Sequence, residues 1–153
     1  MIGTAGTQRG LELIKREGAH HVFDHTKAGY AEEIQKSTAG QGVNVVLEML
    51  ANVNLATDLR LLAQYGRVVV IGNRGEITIN PRELMLRRAM VRGFTLWAAT
   101  ETESTEIHAA IAAGVENGTL RPIVGKELPL KDAPNAHQEV LAPGAFGKIV
   151  LIP

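Results

Sequence analysis

The 153-residue sequence contains no cysteine. Disulfides, thiolate metal sites and a cysteine nucleophile are therefore excluded, and a reducing compartment suits the chain. Aromatic residues are few: one tryptophan, two tyrosines and three phenylalanines. That is a poor supply for stacking unpaired bases. Net charge is also missing, with 16 Lys plus Arg against 16 Asp plus Glu. No overall field draws the chain to nucleic acid or to an anionic membrane. No apolar run approaches the roughly 20 residues that cross a bilayer. The first residues, Met1-Ile-Gly-Thr-Ala-Gly-Thr7, lack the basic stretch and apolar centre of a secretory signal. The expectation is a soluble cytoplasmic protein, long enough to bury a real core.

What is present centres on Gly66-Arg-Val-Val-Val-Ile-Gly-Asn-Arg74. Val68, Val69, Val70 and Ile71 run together without polar alternation, so residues 67–71 predict a strand covered on both faces. Such strands belong to parallel sheets, whose ligands bind beyond the carboxyl ends. Gly72, Asn73 and Arg74 occupy that end. Other apolar stretches predict strands at 1–4, 21–24, 43–47, 89–96 and 148–152. Between them, Thr7 predicts a cap for a helix over 8–17, and a second helix is expected over 30–37. Asn54 predicts the cap of a helix with Leu55, Leu59 and Leu62 on one stripe, closed by Gly66. Asn80, Pro81 and Glu83 mark another helix start, and Thr100 with Glu103 a capping box. The helix after Thr100 is expected to bury Ile107, Ile111 and Val115. Residues 120–130 read as an extended connection and 131–141 as a short helix. Alternating strand and helix predicts a doubly wound α/β fold.

Local chemistry is sparse. A dinucleotide site normally shows Gly-x-Gly-x-x-Gly between its first strand and helix, and this chain has none. Gly3-Thr-Ala-Gly6 reads first as a tight turn. His21 and His25 are four apart but not on a helix, and no carboxylate pair completes a metal shell. No serine sits in a nucleophile elbow. Glu48, at the end of a buried strand, reads more readily as a carboxylate capping the next helix than as an acid–base group. Arg82, Arg87, Arg88 and Arg92 read as a solvated helix face rather than an RNA-binding surface. No catalytic residue and no metal site is assigned.

Several stretches together carry a resemblance: Gly3-Thr-Ala-Gly-Thr7, Gly18-Ala-His20, Glu48-Met-Leu-Ala-Asn-Val-Asn-Leu55, Gly66-Arg-Val-Val-Val-Ile-Gly72, Ile79-Asn-Pro81 and Gly147-Lys-Ile-Val-Leu151. Along its whole length the chain resembles the quinone oxidoreductases of the zinc-free medium-chain dehydrogenase/reductase family. The resemblance implies a C-terminal piece of such an enzyme. Residues 1–119 would form a partial Rossmann-type domain lacking the first strand and its glycine-rich loop. Residues 120–153 would be a segment returning to a catalytic domain. In the strand order 3-2-1-4-5-6 the missing strand is central, so two strand groups with open inner edges are expected.

The resemblance also implies NADPH as cofactor and quinones as substrates, reduced by single electrons. It places Gly6 and His25 beside the adenosine phosphate and Asn54 beside a ribose. Ile71, Gly72, Asn73 and Arg74, with Phe94, Thr95 and Leu96, fall toward the nicotinamide. Where an NAD enzyme carries an acidic residue after its second strand, this chain has Gly6-Thr7, and Arg9 follows to attract a 2′-phosphate. A homo-oligomer joined along residues 91–96, from Val91 to Leu96, is implied as well. The alternative expectation is an inactive truncated form that serves as a binding or RNA-interaction module.

Overall fold

A computed structural model describes every residue except Pro143 and Ala145. Two compact units emerge, Met1–Ala98 and Ala99–Pro153.

In the first unit β1 (Ile2–Ala5) leads to α1 (Gln8–Arg16), then β2 (His21–Asp24) and α2 (Tyr30–Ser37). β3 (Val43–Glu48), α3 (Ala51–Leu61), β4 (Leu62–Val70), α4 (Arg82–Arg87) and β5 (Met90–Gly93) follow. Every strand pairing is parallel. β1 pairs with β2 from Ile2 opposite His21 to Ala5 opposite Asp24. β4 lies between β3 and β5, with Val68 opposite both Val46 and Val91. The strand groups β1-β2 and β3-β4-β5 are separate sheets. They correspond to the two halves of a doubly wound sheet without its central strand, so β1 and β3 each keep an unpaired inner edge among the described residues. This is the partial Rossmann-type α/β arrangement expected from the sequence.

Local sequence explains most boundaries. Thr7 caps α1 by accepting the Gly10 N–H at 3.1 Å, and Gly18, with φ at +108°, lets the chain leave it. The core forms where α3 and α4 lie against the three-stranded sheet. Leu59, Leu62 and Val68 are buried, with Val43, Val46, Leu55, Val70, Ile79, Leu84 and Ala89 packed around them. Leu55 and Leu59 of the predicted stripe therefore face inward from α3, while Leu62, expected on the same helix, is buried as the first residue of β4.

Other boundaries differ from the sequence reading. α3 opens three residues before Asn54, with Leu50 at its cap position, because Glu48 meets the Leu50 N–H. β4 begins at Leu62 rather than after Gly66. Between Val43 opposite Leu62 and Val45 opposite Arg67 its register shifts, and Tyr65 in the bulge adopts φ +60°. β5 ends at Gly93, and the chain turns into a 3₁₀ segment over Leu96–Ala98. Pro81 stands at the cap position of α4, while the Asn80 Oδ1 accepts the Arg82 N–H at 3.1 Å. Glu83 pairs with Arg87 instead of reaching back.

The second unit contains α5 (Glu101–Glu116), β6 (Val124–Pro129), α6 (Ala133–Glu139) and β7 (Lys148–Ile152). The predicted capping box is present: the Thr100 Oγ1 accepts the Glu103 N–H, and the Glu103 carboxylate accepts the Thr100 N–H at 2.8 Å. The predicted burial is not. Ile111 and Val115 are 48% and 50% exposed. The stretch read as a connection forms β6, which pairs in parallel with β7. Pro134 is accommodated in the first turn of α6, where its missing N–H would have no helical partner in any case.

Candidate functional site

The predicted site residues fall into two clusters, each at the carboxyl ends of strands in the first unit. The first lies where β1 and β2 end. The His25 N–H donates to the Ala5 carbonyl at 3.3 Å, carrying the ladder one step past β2. Gly6 and His25 are thereby brought together. A Cβ on Gly6 would lie 3.0 Å from His25 Nε2 and 3.1 Å from Thr26 Cγ2, so glycine leaves room for the imidazole. Asp24 accepts the Thr26 N–H at 3.0 Å and its hydroxyl at 2.6 Å. Those bonds hold its carboxyl below the usual range. Thr7 and Arg9 stand beside this turn at the start of α1, whose positive dipole end favours anions.

The second cluster lies at the ends of β3, β4 and β5. The Glu48 carbonyl accepts the N–H groups of Ile71 at 2.8 Å and Gly72 at 3.2 Å. The Gly72 carbonyl in turn accepts the Ala51 N–H at 3.0 Å. A Cβ on Gly72 would collide with the Met49 carbonyl oxygen at 2.1 Å, so this close backbone crossing requires glycine. The Arg74 N–H donates to Asn52 Oδ1 at 2.9 Å, and the Asn73 amide to the Gly75 carbonyl at 2.7 Å. Asn54 donates its amide to Glu48 Oε1 at 3.2 Å. Thus Asn54 and residues 71–74 share one network, organised by Glu48. The Phe94 N–H joins the same end of the sheet through the Val70 carbonyl at 2.9 Å. Thr95 and Leu96 lead away from it, and Leu96 is exposed.

Glu48 behaves as its plainer reading predicted: its carboxylate meets the backbone where α3 starts. Asn54 is not the cap but a side-chain partner of that carboxylate. Arg87 departs from the expected solvated face. Its guanidinium reaches the Leu62 and Arg60 carbonyls at 2.8 and 2.9 Å and Glu83 at 2.5 Å. Arg88 instead lies over the Tyr65 ring, 5.1 Å from its centroid.

Two residues escaped the sequence reading. Asp58 of α3 is buried at 7% exposure beside Glu48 at 5%, and Tyr30 of α2 lies within their electrostatic reach. Asp58 is pushed up to about 8, first by burial, then by its hydrogen bond to Glu48 and by that group's charge. Tyr30 is raised by its own burial and by both carboxyl groups. One signal was available: Asp58 stands between Leu55 and Leu59 on the apolar stripe of α3.

Against this geometry, comparison with known proteins is specific. The family model described as zinc-binding dehydrogenase matches residues 17–151. Quinone oxidoreductase from Sus scrofa is 43% identical over 99% of this chain and 46% of its own length. The chain therefore spans about half the length of the curated relatives it matches. An NAD-dependent alcohol dehydrogenase structure superposes with TM-score 0.89 at 27% identity, covering 99% of this chain and 43% of that one. A mycobacterial protein complexed with NADPH superposes with TM-score 0.85 at 26% identity, over 99% and 49%. The parallel α/β arrangement and these likenesses agree: the chain belongs to the zinc-binding dehydrogenase family, among the medium-chain dehydrogenase/reductases, and is similar to the zeta-crystallin-like quinone oxidoreductases within it.

Proposed function

We propose that this chain forms the nucleotide-binding part of an NADPH-dependent quinone oxidoreductase. The observation that carries the reading is the pairing of Gly6 with His25 at the end of β1. Glycine there leaves the His25 ring space to face an anion, with no acidic side chain at Gly6 or Thr7 to claim a ribose hydroxyl. Arg9 adds positive charge on the first turn of α1. In this reading His25, Gly6 and Arg9 hold the adenosine phosphate. Asn54 lies toward a ribose, and the crossing at Gly72, with Asn73, Arg74 and Phe94 to Leu96, borders the nicotinamide.

When bound, NADPH would supply two reducing equivalents, enough to reduce two quinones by one electron each. The chain itself orients. Backbone groups of 71–74 are fixed from below by Glu48 and Asn52, so they present a set surface without rearranging. Among the described residues no group of three or more His, Cys, Asp or Glu could hold a metal ion, and no step is assigned to one.

The outer edge of β5 supports the oligomer reading. Among the described residues β5 pairs only with β4, and Met90, Phe94 and Leu96 beside that edge are exposed. A second copy joining there would extend the sheet.

Titration with NADPH, followed through the single tryptophan, Trp97, tests the cofactor assignment. Saturable quenching that is weaker with NADH is expected. His25→Ala should weaken NADPH by about 10-fold, on the order of one charge-assisted contact, and leave NADH nearly unchanged. Equal affinity for both nucleotides in the parent chain would overturn the 2′-phosphate assignment.

A further inference from the structure

We infer that Asp58 and Glu48 form a proton-sharing pair, acid on Asp58 and carboxylate on Glu48, which positions the 71–74 backbone at the cofactor edge. The link to a cofactor rests on the proposed function; the pair and its positioning role do not.

Both groups are buried, and neither takes part in an ion pair among the described residues. Two adjoining carboxyl groups without a cation cannot both ionise cheaply, so one keeps its proton. The hydrogen bonding says which one. Glu48 Oε1 accepts from the Leu50 N–H and from the Asn54 amide, the role of an ionised acceptor. Asp58 Oδ2 is buried with no donor facing it, as suits an acid whose hydrogen bond runs to Glu48. Burial and the neighbouring charge both favour the neutral form of Asp58. The surrounding ionisable groups supply no rescue. Tyr30 approaches from α2 and is itself acted on by Glu32. Arg60 of α3 bonds Thr57 and acts on Tyr30, and β4 places only Val70 opposite Glu48.

The consequence runs along the backbone. The same Glu48 accepts the Ile71 and Gly72 N–H groups through its carbonyl, and the turn it anchors offers Ala51 to Gly72 and Asn52 to Arg74. Ionising Asp58 sets a second negative charge against Glu48 inside the core. The cheapest relief is to move the Glu48 carboxylate away, which frees the Leu50 turn and loosens residues 71–74.

The test begins without nucleotide. Selective ¹³C labelling of aspartate carboxyl carbons reads the Asp58 titration in the unmodified protein. A midpoint near 8 is expected, and one near 4 would overturn the pair. Amide exchange, corrected for intrinsic rate, should then show protection of Ile71, Gly72 and Arg74 falling about 10-fold per pH unit above that midpoint. In Asp58→Asn, whose amide still donates to Glu48, the same protection should stay flat. Identical profiles in the two proteins would refute the positioning role. NADPH titrations at pH 7 and 9 form the last arm. Affinity should fall at pH 9 in the parent and not in Asp58→Asn. Absence of NADPH binding at either pH would count against the cofactor reading while leaving the exchange result to judge the pair.

Discussion

The β3-β4-β5 sheet and the second unit draw on similar residues and arrive at different interiors. In the sheet, Val68 is fully buried and Leu59 and Leu62 nearly so, because α3 and α4 cover one face. In the second unit Ala136 is the one buried apolar residue, and α5 buries none of its side chains among the described residues. The α5 sequence carries Ile107, Ile111 and Val115 at helical spacing, as good a stripe as that of α3. Periodicity supplies a face. Burial needs a neighbour that accepts it, and α3 finds one in the three-stranded sheet.

That contrast can be broken or sharpened by substitution. The largest effect is expected from Leu59→Ala, which opens a cavity in the core and should cost about 2–5 kcal/mol in chemical denaturation. Ile111→Ala, at an exposed position of α5, should stay within about 0.5 kcal/mol. Equal losses would show that the two interiors are alike.

Next in size is the pH dependence of the core. The folded-state pKa of Asp58 is raised to about 8, above its unfolded value. The stability linked to its proton is fully present below the unfolded pKa and is lost as pH rises from about 4 through about 8. Asp58→Asn should therefore gain on the parent as pH climbs across that window, by an amount on the order of 1–3 kcal/mol. An unchanging difference from pH 5 to 9 would mean that Asp58 ionises normally.

A smaller effect than either core change is expected at the cap of α5. Thr100→Ala removes half of the capping box and should lower α5 stability by about 1 kcal/mol, seen as lost helical circular dichroism. Glu103 is held below the usual carboxylate range by the Thr100 N–H and hydroxyl. Its contribution is present above the unfolded pKa and disappears as pH falls through the depressed one. The α5 signal of the parent should thus weaken in acid, and that of Thr100→Ala should change less.

Much of the alternation of strands and helices was legible because it is written in short local signals. Thr7, Gly18 and the Thr100–Glu103 box each act within a few residues, and the valine run of β4 announces a strand. Yet α3 and α4 cover only one of the two faces expected to be covered, and Ile71 stays 38% exposed. Failures occurred where distant groups decide. The start of α3 depends on the Glu48 carboxylate meeting Leu50, so Asn54, a sound cap by type, was displaced. The bulge before Arg67 puts Tyr65 in a left-handed conformation that no local preference favours. β6 became a strand only because β7 pairs with it some twenty residues later. At the candidate site, resemblance singled out Gly6, His25 and the 71–74 segment, and the structure brings Gly6 to His25 and the 71–74 backbone to Glu48. Asp58 was not singled out, since its meaning comes from the carboxyl group it faces across the core.

β4 is fastened at both ends by groups from elsewhere in the chain. At its start, Arg87 of α4 grips the Leu62 and Arg60 carbonyls. Past its finish, the Glu48 carbonyl holds Ile71 and Gly72. A one-residue slip of this strand would carry Val68 out of the core and swing Arg67 into it. Such a slip would also have to release both fasteners together, although they share no atoms and lie at opposite ends of the sheet. The irregular stretch around Tyr65 therefore need not fix the register of the strand. The fidelity of the central alignment is secured by its two ends rather than by the continuity of its middle.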